Sequence, residues 1–367
     1  MVASVPWVRR TRHLVLVAPA DDASAAAPVL SLLTGVRTNL SLEQVGVLLG
    51  LSARRWSWRV DDIAISLSRQ GLLVSDEPEE PFVQLRRRDG ELTGLGWHPA
   101  AAAFLVGTRW DGQRVTAERR DGSRPPRPPR IGTAESPFHF RQGVPVRLPA
   151  VVHDSEFQQL LHHRRTTRSF DATRPVTKLE LATLLRWVWG AHGWAPLAHQ
   201  DTAVRKTSPS GGGLHPVEVY PIVRNVEGVE PGIYHYRTGD HELVRLAALD
   251  AAACLELLER ATAGQWYFAD ADVAFVMTAR FARSFWKYRR HAKILRAILL
   301  EAGHLSQTFY LLCTQLGLGP YITAAIDDAE LERALELDPL FESPLAVCGC
   351  GRATAQRSPL DPEFRDL

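Results

Sequence analysis

The chain has 367 residues, of which 45% are hydrophobic and 23% charged, and its formal net charge is +2. That composition suits a globular protein with one large core and a smaller unit. The balanced charge supplies no global field to draw in nucleic acid or an anionic membrane, and no segment approaches the roughly 20 apolar residues that span a bilayer. The four cysteines (Cys254, Cys313, Cys348, Cys350) are too few for a disulfide framework in a chain this long. Cys348-Gly349-Cys350 lies in an apolar stretch with no His/Cys/Asp spacing around it, which predicts buried free thiols in a reducing compartment and no metal site.

Arg9-Arg10 precedes His13-Leu14-Val15-Leu16-Val17, a faint twin-arginine pattern. The apolar run is too short for a signal peptide and Asp21-Asp22 follow, so it reads as a first strand of a cytoplasmic protein. Residues 28–35 read as a helix stopped by Gly35. Ser41 is placed to cap a second helix with Gln44 at the capping-box position, followed by Leu42, Val45, Leu48 and Leu49 at helical spacing. A third helix over residues 57–70 ends at Gly71, where a strand begins. Short helices with a wing strand predict a winged-helix-like domain over residues 1–110. The pattern resembles the peptide-recognition elements fused to peptide-modifying enzymes, and more weakly DNA-binding winged helices; a plain structural extension is the remaining reading.

Residues 111–147 are rich in Arg, Pro and Gly, with Arg124-Pro125-Pro126-Arg127-Pro128-Pro129-Arg130 at their centre. Proline lacks the donor N–H that a helix interior or inner strand needs, so this segment predicts a linker. Residues 148–367 then read as one α/β domain. Helices are expected over residues 157–163, 180–189 and 289–317, the last apolar almost all round and so buried on several sides, in a core or at a subunit interface. Strands are expected over residues 217–223, 272–278 and 344–348, with Pro221 pointing to an edge or bulge. The continuous apolar run at 272–278 suits a sheet covered on both faces.

Two segments carry chemistry. Arg164-Arg165-Thr166-Thr167-Arg168-Ser169-Phe170 offers guanidinium forks and a hydroxyl to a phosphate, or is a solvated charge run. Ser208-Pro209-Ser210-Gly211-Gly212-Gly213 lets backbone N–H groups approach a flat or anionic ligand, or is a flexible loop; its spacing is not a dinucleotide fingerprint. Of the histidines, His304 on the long helix reads as a core residue, and His215 lies in the glycine-rich loop.

Together these segments resemble the FMN-dependent nitroreductase superfamily, and within it the SagB-type thiazole/oxazole peptide (azoline) dehydrogenases. The arginine cluster is similar to that family's Arg-Arg-Ser-x-Arg-x-Phe motif, with Thr166 in place of serine. Pro209 through Tyr220 resembles its Pro-Ser-Gly-Gly/Ala-x-x-Pro-x-Glu-x-Tyr segment, and Leu299 through Gln307 followed by Leu316-Gly317-Leu318-Gly319 its long helix and exit turn. The resemblance covers about residues 148–352 and implies an α/β (α+β) nitroreductase-like FMN fold, a mixed sheet flanked by helices, in a homodimer with FMN at the subunit interface. It implies that Arg164, Arg165, Thr166 and Arg168 hold the phosphate, ribityl chain and pyrimidine edge. Pro209, Ser210, Gly211 and Gly212 would pack on the flavin, from the other subunit; Gly319, Thr323 and Ala324 would line the ring's far side; Arg352 would add a phosphate contact. Lys206 and Cys348-Gly349-Cys350 depart from the family pattern.

Lys287-Tyr288 gains meaning in that frame. The azole-forming dehydrogenases resemble this chain in carrying an adjacent Lys-Tyr pair ahead of the long helix. Azoline oxidation removes a hydride from one ring carbon and a proton from its neighbour, and the proton needs a base, which a desolvated lysine or a tyrosinate supplies. A reductase that passes hydride to an external acceptor needs none. The competing reading is a snorkelling lysine and a capping tyrosine among Arg283, Arg289 and Arg290. The expected activity is FMN-dependent oxidation of azolines in a ribosomally made precursor peptide, with a cyclodehydratase as a further partner. The alternatives are a nicotinamide-driven reductase of a dehydroamino acid, quinone or nitro compound, and a flavin-bearing redox sensor that binds peptide or DNA.

Overall fold

The structure is a computed structural model, and it describes residues 7–16, 26–59, 61–113, 137–138, 142–149, 155–196, 202–291, 293–355 and 358. In chain order the first unit contains β1 (Trp7–Arg10), β2 (Leu14–Leu16), β3 (Ala26–Ser31), β4 (Arg37–Ser41), α1 (Leu42–Gly50), β5 (Ser57–Trp58), α2 (Asp62–Arg69), β6 (Leu73–Ser75), α3 (Phe82–Leu95) and α4 (Pro99–Thr108). Its strands form two small sheets, ordered β5-β1-β6 and β2-β3-β4.

The capping box at Ser41 forms as its sequence predicts: Gln44 N donates to Ser41 Oγ at 3.2 Å and Ser41 N to Gln44 Oε1 at 2.9 Å. Two expectations fail. Residues 28–35 are not helical, because Pro28 through Leu30 pair with β4 and Val29 through Ser31 with β2; a short apolar run fits either state until its neighbours decide. The helix expected from residue 57 starts at Asp62, where Asp61 Oδ1 accepts from Ala64 N at 2.7 Å, while Ser57 and Trp58 pair with β1. Only fragments of the 111–147 segment are described, and Arg124 through Arg130 lie outside the described residues.

The second unit contains α5 (Glu156–His163), β7 (Val176–Thr177), α6 (Lys178–Leu184) with a π-helical turn over Leu185–Trp189, β8 (Gly193–Pro196), β9 (Thr202–Arg205), a 3-10 turn over Gly211–Gly213, β10 (Val217–Val223), β11 (Val226–Glu227), β12 (Gly232–Arg237) and β13 (Glu242–Ala248). After these come α7 (Ala251–Ala261), α8 (Trp266–Ala269), β14 (Val273–Arg280), α9 (Phe281–Tyr288), α10 (Ile294–Gln315), β15 (Gly319–Thr323), α11 (Asp328–Ala334) and β16 (Glu342–Gly351). The main sheet has the order β13-β12-β10-β14-β16-β15. Its neighbours pair antiparallel, and parallel pairing occurs in the β7–β11 ribbon beside it.

β14 shows why the sheet is covered on both faces. Val273, Phe275 and Met277 enter a core with α6, the π turn and α10, whereas Ala274 and Val276 enter a second core with α7, α8 and α11. Alternation along a strand sends successive side chains to opposite faces, so a continuous apolar run needs two helical layers. Pro221 does not mark an edge. β10 lies inside the sheet, paired with β14 along its length and with β12 at Ile222 and Val223 only, so the proline sits where the second partner is missing.

The long helix starts at Ile294 rather than 289, because α9 ends at Tyr288 and Arg290 takes a left-handed φ of 56°. One face of α10 is buried, with Ile298, Glu301, Leu305 and Phe309 on it; Leu299 and Leu300 on another face are 44% and 63% exposed. His304 is exposed as well, not a core residue. A third core joins the two units, packing Leu85, Leu92, Trp97 and Ala101 against Phe281, Phe285, Ile294, Ile298 and Leu340. Arg109 adds a forked pair to Glu332, with N–O distances of 2.6–2.9 Å. Among the described residues, no helix is long and apolar enough to cross a membrane.

Candidate active site

Two clusters lie along α10. The first is built by the segment after α5. Thr167 N donates to Pro320 O at 2.8 Å, pinning that segment to β15. The fit is close: a side chain on Gly319 would begin 2.6 Å from Thr167, so Gly319 is required for the approach. Thr166 Oγ1 lies 2.9 Å from Tyr310 Oη, and the Arg164 guanidinium sits 5.2 Å above the Tyr310 ring. Arg165 is exposed and Arg168 half-buried. Arg164 and Arg165 have no carboxylate partner among the described residues. Two unneutralised guanidiniums beside a hydroxyl suit an anionic oxygen cluster such as a phosphate.

The structure thus brings Arg164, Thr166 and Gly319 together, and treats three other expected residues differently. Arg352 Nη2 reaches both Glu180 oxygens, at 2.7 and 2.9 Å, so its guanidinium already has an anion. Thr323 is buried with its hydroxyl donating to Gln265 Oε1 at 2.7 Å, while Ala324 beside it is exposed.

The second cluster is the glycine-rich loop, held to α10 at successive turns. Ser208 Oγ lies 3.0 Å from Thr308 Oγ1, and His304 Nδ1 lies 3.3 Å from the Pro209 carbonyl. Ser210 donates to the Glu301 carboxylate and accepts from His215 N at 2.9 Å. A Cβ on Gly211 would stand 2.9 Å from Ala297 Cβ. Gly212 has a left-handed φ of 69°, and a Cβ there would fall 2.5 Å from Tyr288 Oη and 3.2 Å from Lys287 Nζ. The end of α9 therefore closes over this glycine, placing Lys287 and Tyr288 against the loop predicted to face a flavin. Lys287 Nζ is 5.6 Å from the Tyr288 ring; Lys287 is exposed and Tyr288 half-buried.

Buried charges sit behind the loop. Glu301 is 2% exposed, and burial holds its carboxyl above the usual range against the pull of Ser210 and the Lys206 ammonium. Burial lowers Lys206, opposed by Glu218 and Glu301. Burial, with Lys206 second, pushes His215 down to about 4. His215 is therefore neutral near pH 7, and its 3.9 Å approach to Glu301 is not an ion pair there. From Glu301 to Tyr310 the helix rises roughly 13 Å, which separates the loop from the arginine cluster.

Sequence reasoning assigned no role to Tyr310 or Glu301. A carboxylate inside an otherwise apolar helix was a usable signal, since such a group needs a buried partner. Tyr310 carried none, because its value lies in the segments it meets.

A family model described as "Nitroreductase family" matches residues 161–352. That match supports an oxidoreductase of that class. The chain belongs to the nitroreductase family. It is 30% identical over 207 residues to the nitroreductase-family protein MJ1384 of Methanocaldococcus jannaschii, covering 56% of this chain and 96% of that one. It is 33% identical over 150 residues to the trifolitoxin-processing protein TfxB of Rhizobium leguminosarum bv. trifolii, covering 39% of each. It is 28% identical over 152 residues to the microcin B17-processing protein McbC of Escherichia coli, covering 40% of this chain and 53% of McbC. The matches to TfxB and McbC thus span about two fifths and one half of their lengths.

Proposed function

We propose that this protein is an FMN-dependent dehydrogenase that oxidises azoline rings to thiazoles or oxazoles in a ribosomally synthesised peptide. The observation that carries the reading is the closure of Lys287 and Tyr288 over Gly212. Similarity to TfxB and McbC, both named for processing a peptide, supports a peptide substrate.

The residues present fit the phosphate of FMN: Arg164 and Arg165, which have no carboxylate partner among the described residues, lie beside the Thr166 hydroxyl. Bound there, FMN would supply the acceptor for the hydride that leaves one ring carbon. Lys287 or Tyr288 takes the proton from the neighbouring carbon, and the new double bond completes the azole. Lys287 is exposed in the single chain rather than desolvated, so this reading requires peptide or a second subunit to exclude water from it. The uncovered Leu299 and Leu300 on α10 support a homodimer built on that helix, with FMN between the subunits. The first unit presents the peptide, and a cyclodehydratase supplies the azoline.

The test is turnover of a synthetic thiazoline-bearing peptide by the FMN-loaded protein in air, read by mass spectrometry as loss of two hydrogens per ring. Wild-type rates in both Lys287→Ala and Tyr288→Phe would remove the pair from the mechanism. Rapid bleaching of the flavin by NADPH without peptide oxidation would favour the reductase reading, to which the similarity to MJ1384 lends support.

A further inference from the structure

One of the places where the two units meet is the helix that carries the Lys-Tyr pair. Eight residues make α9 too short to be stable alone, so tertiary contacts decide where its end lies. Its buried face is Phe281 and Phe285, and both rings pack on Trp97 of the first unit, with centroids 4.7 Å away in each case. Trp97 is itself fixed, its indole N–H donating to Leu340 O at 2.8 Å.

The turn that ends α9 is held from the same side. Arg290 N donates to Gly96 O at 2.9 Å, and Arg289 Nη2 to Gly94 O at 2.5 Å. Gly96 has a left-handed φ of 90°, and a Cβ on it would fall 2.5 Å from Arg289 Cγ. Arg290 is left-handed too, at φ 56°, a conformation that a non-glycine residue keeps only where its surroundings impose it. The elbow between α3 and α4 thus supports α9 from beneath and clips the turn immediately after Tyr288.

We infer that Trp97 and Gly96 are positioning residues for the proposed proton transfer, acting through α9 to hold Lys287 and Tyr288 against Gly212. The inference rests on the reading of that pair as the base. It makes the first unit part of the active site's framework, in addition to its proposed part in presenting the peptide. Buried aromatic packing fixes the helix face, and two backbone carbonyls fix the turn, which together leave Lys287 and Tyr288 little freedom to slide along the loop.

The experiment is amide hydrogen exchange on the FMN-loaded full chain, paired with turnover of the thiazoline-bearing peptide, for Gly96→Ala, Trp97→Ala, Trp97→Phe and the milder surface change Arg289→Ala. In Gly96→Ala and Trp97→Ala, exchange over residues 281–291 rises by about 10-fold or more, while β14 and residues 302–313 of α10 exchange as in wild type. In the same variants kcat falls by about 10-fold with KM within about twofold, and Trp97→Phe recovers most of both. Arg289→Ala, which removes one clip and no core contact, shows a smaller rise confined to the same segment. Unchanged exchange at 281–291, or a rise spread evenly over the chain, overturns the inference. So does unchanged kcat in a variant whose α9 has loosened. If the wild-type protein does not oxidise the thiazoline peptide, the proposed activity fails, and the exchange measurement still decides whether the elbow holds α9.

Discussion

Thr166 Oγ1 and Tyr310 Oη lie 2.9 Å apart, and Ile322 N donates to the same phenol at 3.1 Å. The arrangement that satisfies all three groups directs the phenol hydrogen to Thr166, which leaves the threonine hydroxyl hydrogen free to donate to an anion. Tyr310→Phe removes that relay and leaves the Ile322 N–H without its acceptor. A buried hydrogen bond of this kind is worth about 1–1.5 kcal/mol, so FMN affinity falls roughly 10-fold. Titration of flavin fluorescence checks it; unchanged affinity would take Tyr310 out of the binding site.

Arg164 and Arg165 carry charge that no carboxylate among the described residues neutralises. Charge-assisted hydrogen bonds contribute about 1.5–3 kcal/mol each, so Arg164→Ala weakens FMN by about 10- to 100-fold, and Arg165→Ala, being exposed, by less. Riboflavin, which lacks the phosphate, binds wild type and Arg164→Ala alike. Equal losses for FMN and riboflavin would place the guanidinium elsewhere than on the phosphate.

Gly212→Ala places a methyl 2.5 Å from Tyr288 Oη and forces a left-handed φ on an L residue. The backbone strain alone is about 1–2 kcal/mol, and the clash displaces the end of α9. Peptide oxidation falls by at least about 10-fold while the purified protein stays folded by circular dichroism. Activity equal to wild type would show that the contact does not set the site.

His215 is neutral in the folded chain down to about pH 4, whereas an unfolded histidine takes a proton near 6.5. Between those values the unfolded state binds the extra proton, so this stabilisation is complete above 6.5 and lost as pH falls toward 4. The full effect is at most about 3 kcal/mol. Glu301 works in the opposite sense: with its folded-state value raised, its stabilisation is full below 4.5 and is lost as pH rises from there through the raised value. Comparing thermal melting of wild type and His215→Gln between pH 4.5 and 7.5 isolates the histidine; the variant loses less on acidification. Parallel curves would mean that His215 takes up its proton alike in the folded and unfolded states.

Local signals read well where one segment decides its own structure. Ser41 and Gln44 form their capping box because both partners lie within one turn. The apolar run of β14 predicted burial on both faces, and two cores cover it. Residues 28–35 and Pro221 misled because strand pairing depends on which partner lies alongside. His304 misled because an apolar helix does not say which of its faces the rest of the chain covers.

The order of motifs along the chain was enough to determine the family and to nominate Arg164, Thr166, Gly212, Lys287 and Tyr288, since each residue type carries its chemistry wherever it lies. Only the tertiary structure decided what each of them touches. It occupied Arg352 with Glu180, put Tyr310 behind Thr166, buried Glu301 under Ser210 and set Trp97 beneath the helix that ends in the Lys-Tyr pair. Trp97 is separated in sequence from Phe285 by most of the second unit's sheet. Contacts at that range arise from close packing of distant segments, and no local pattern records them.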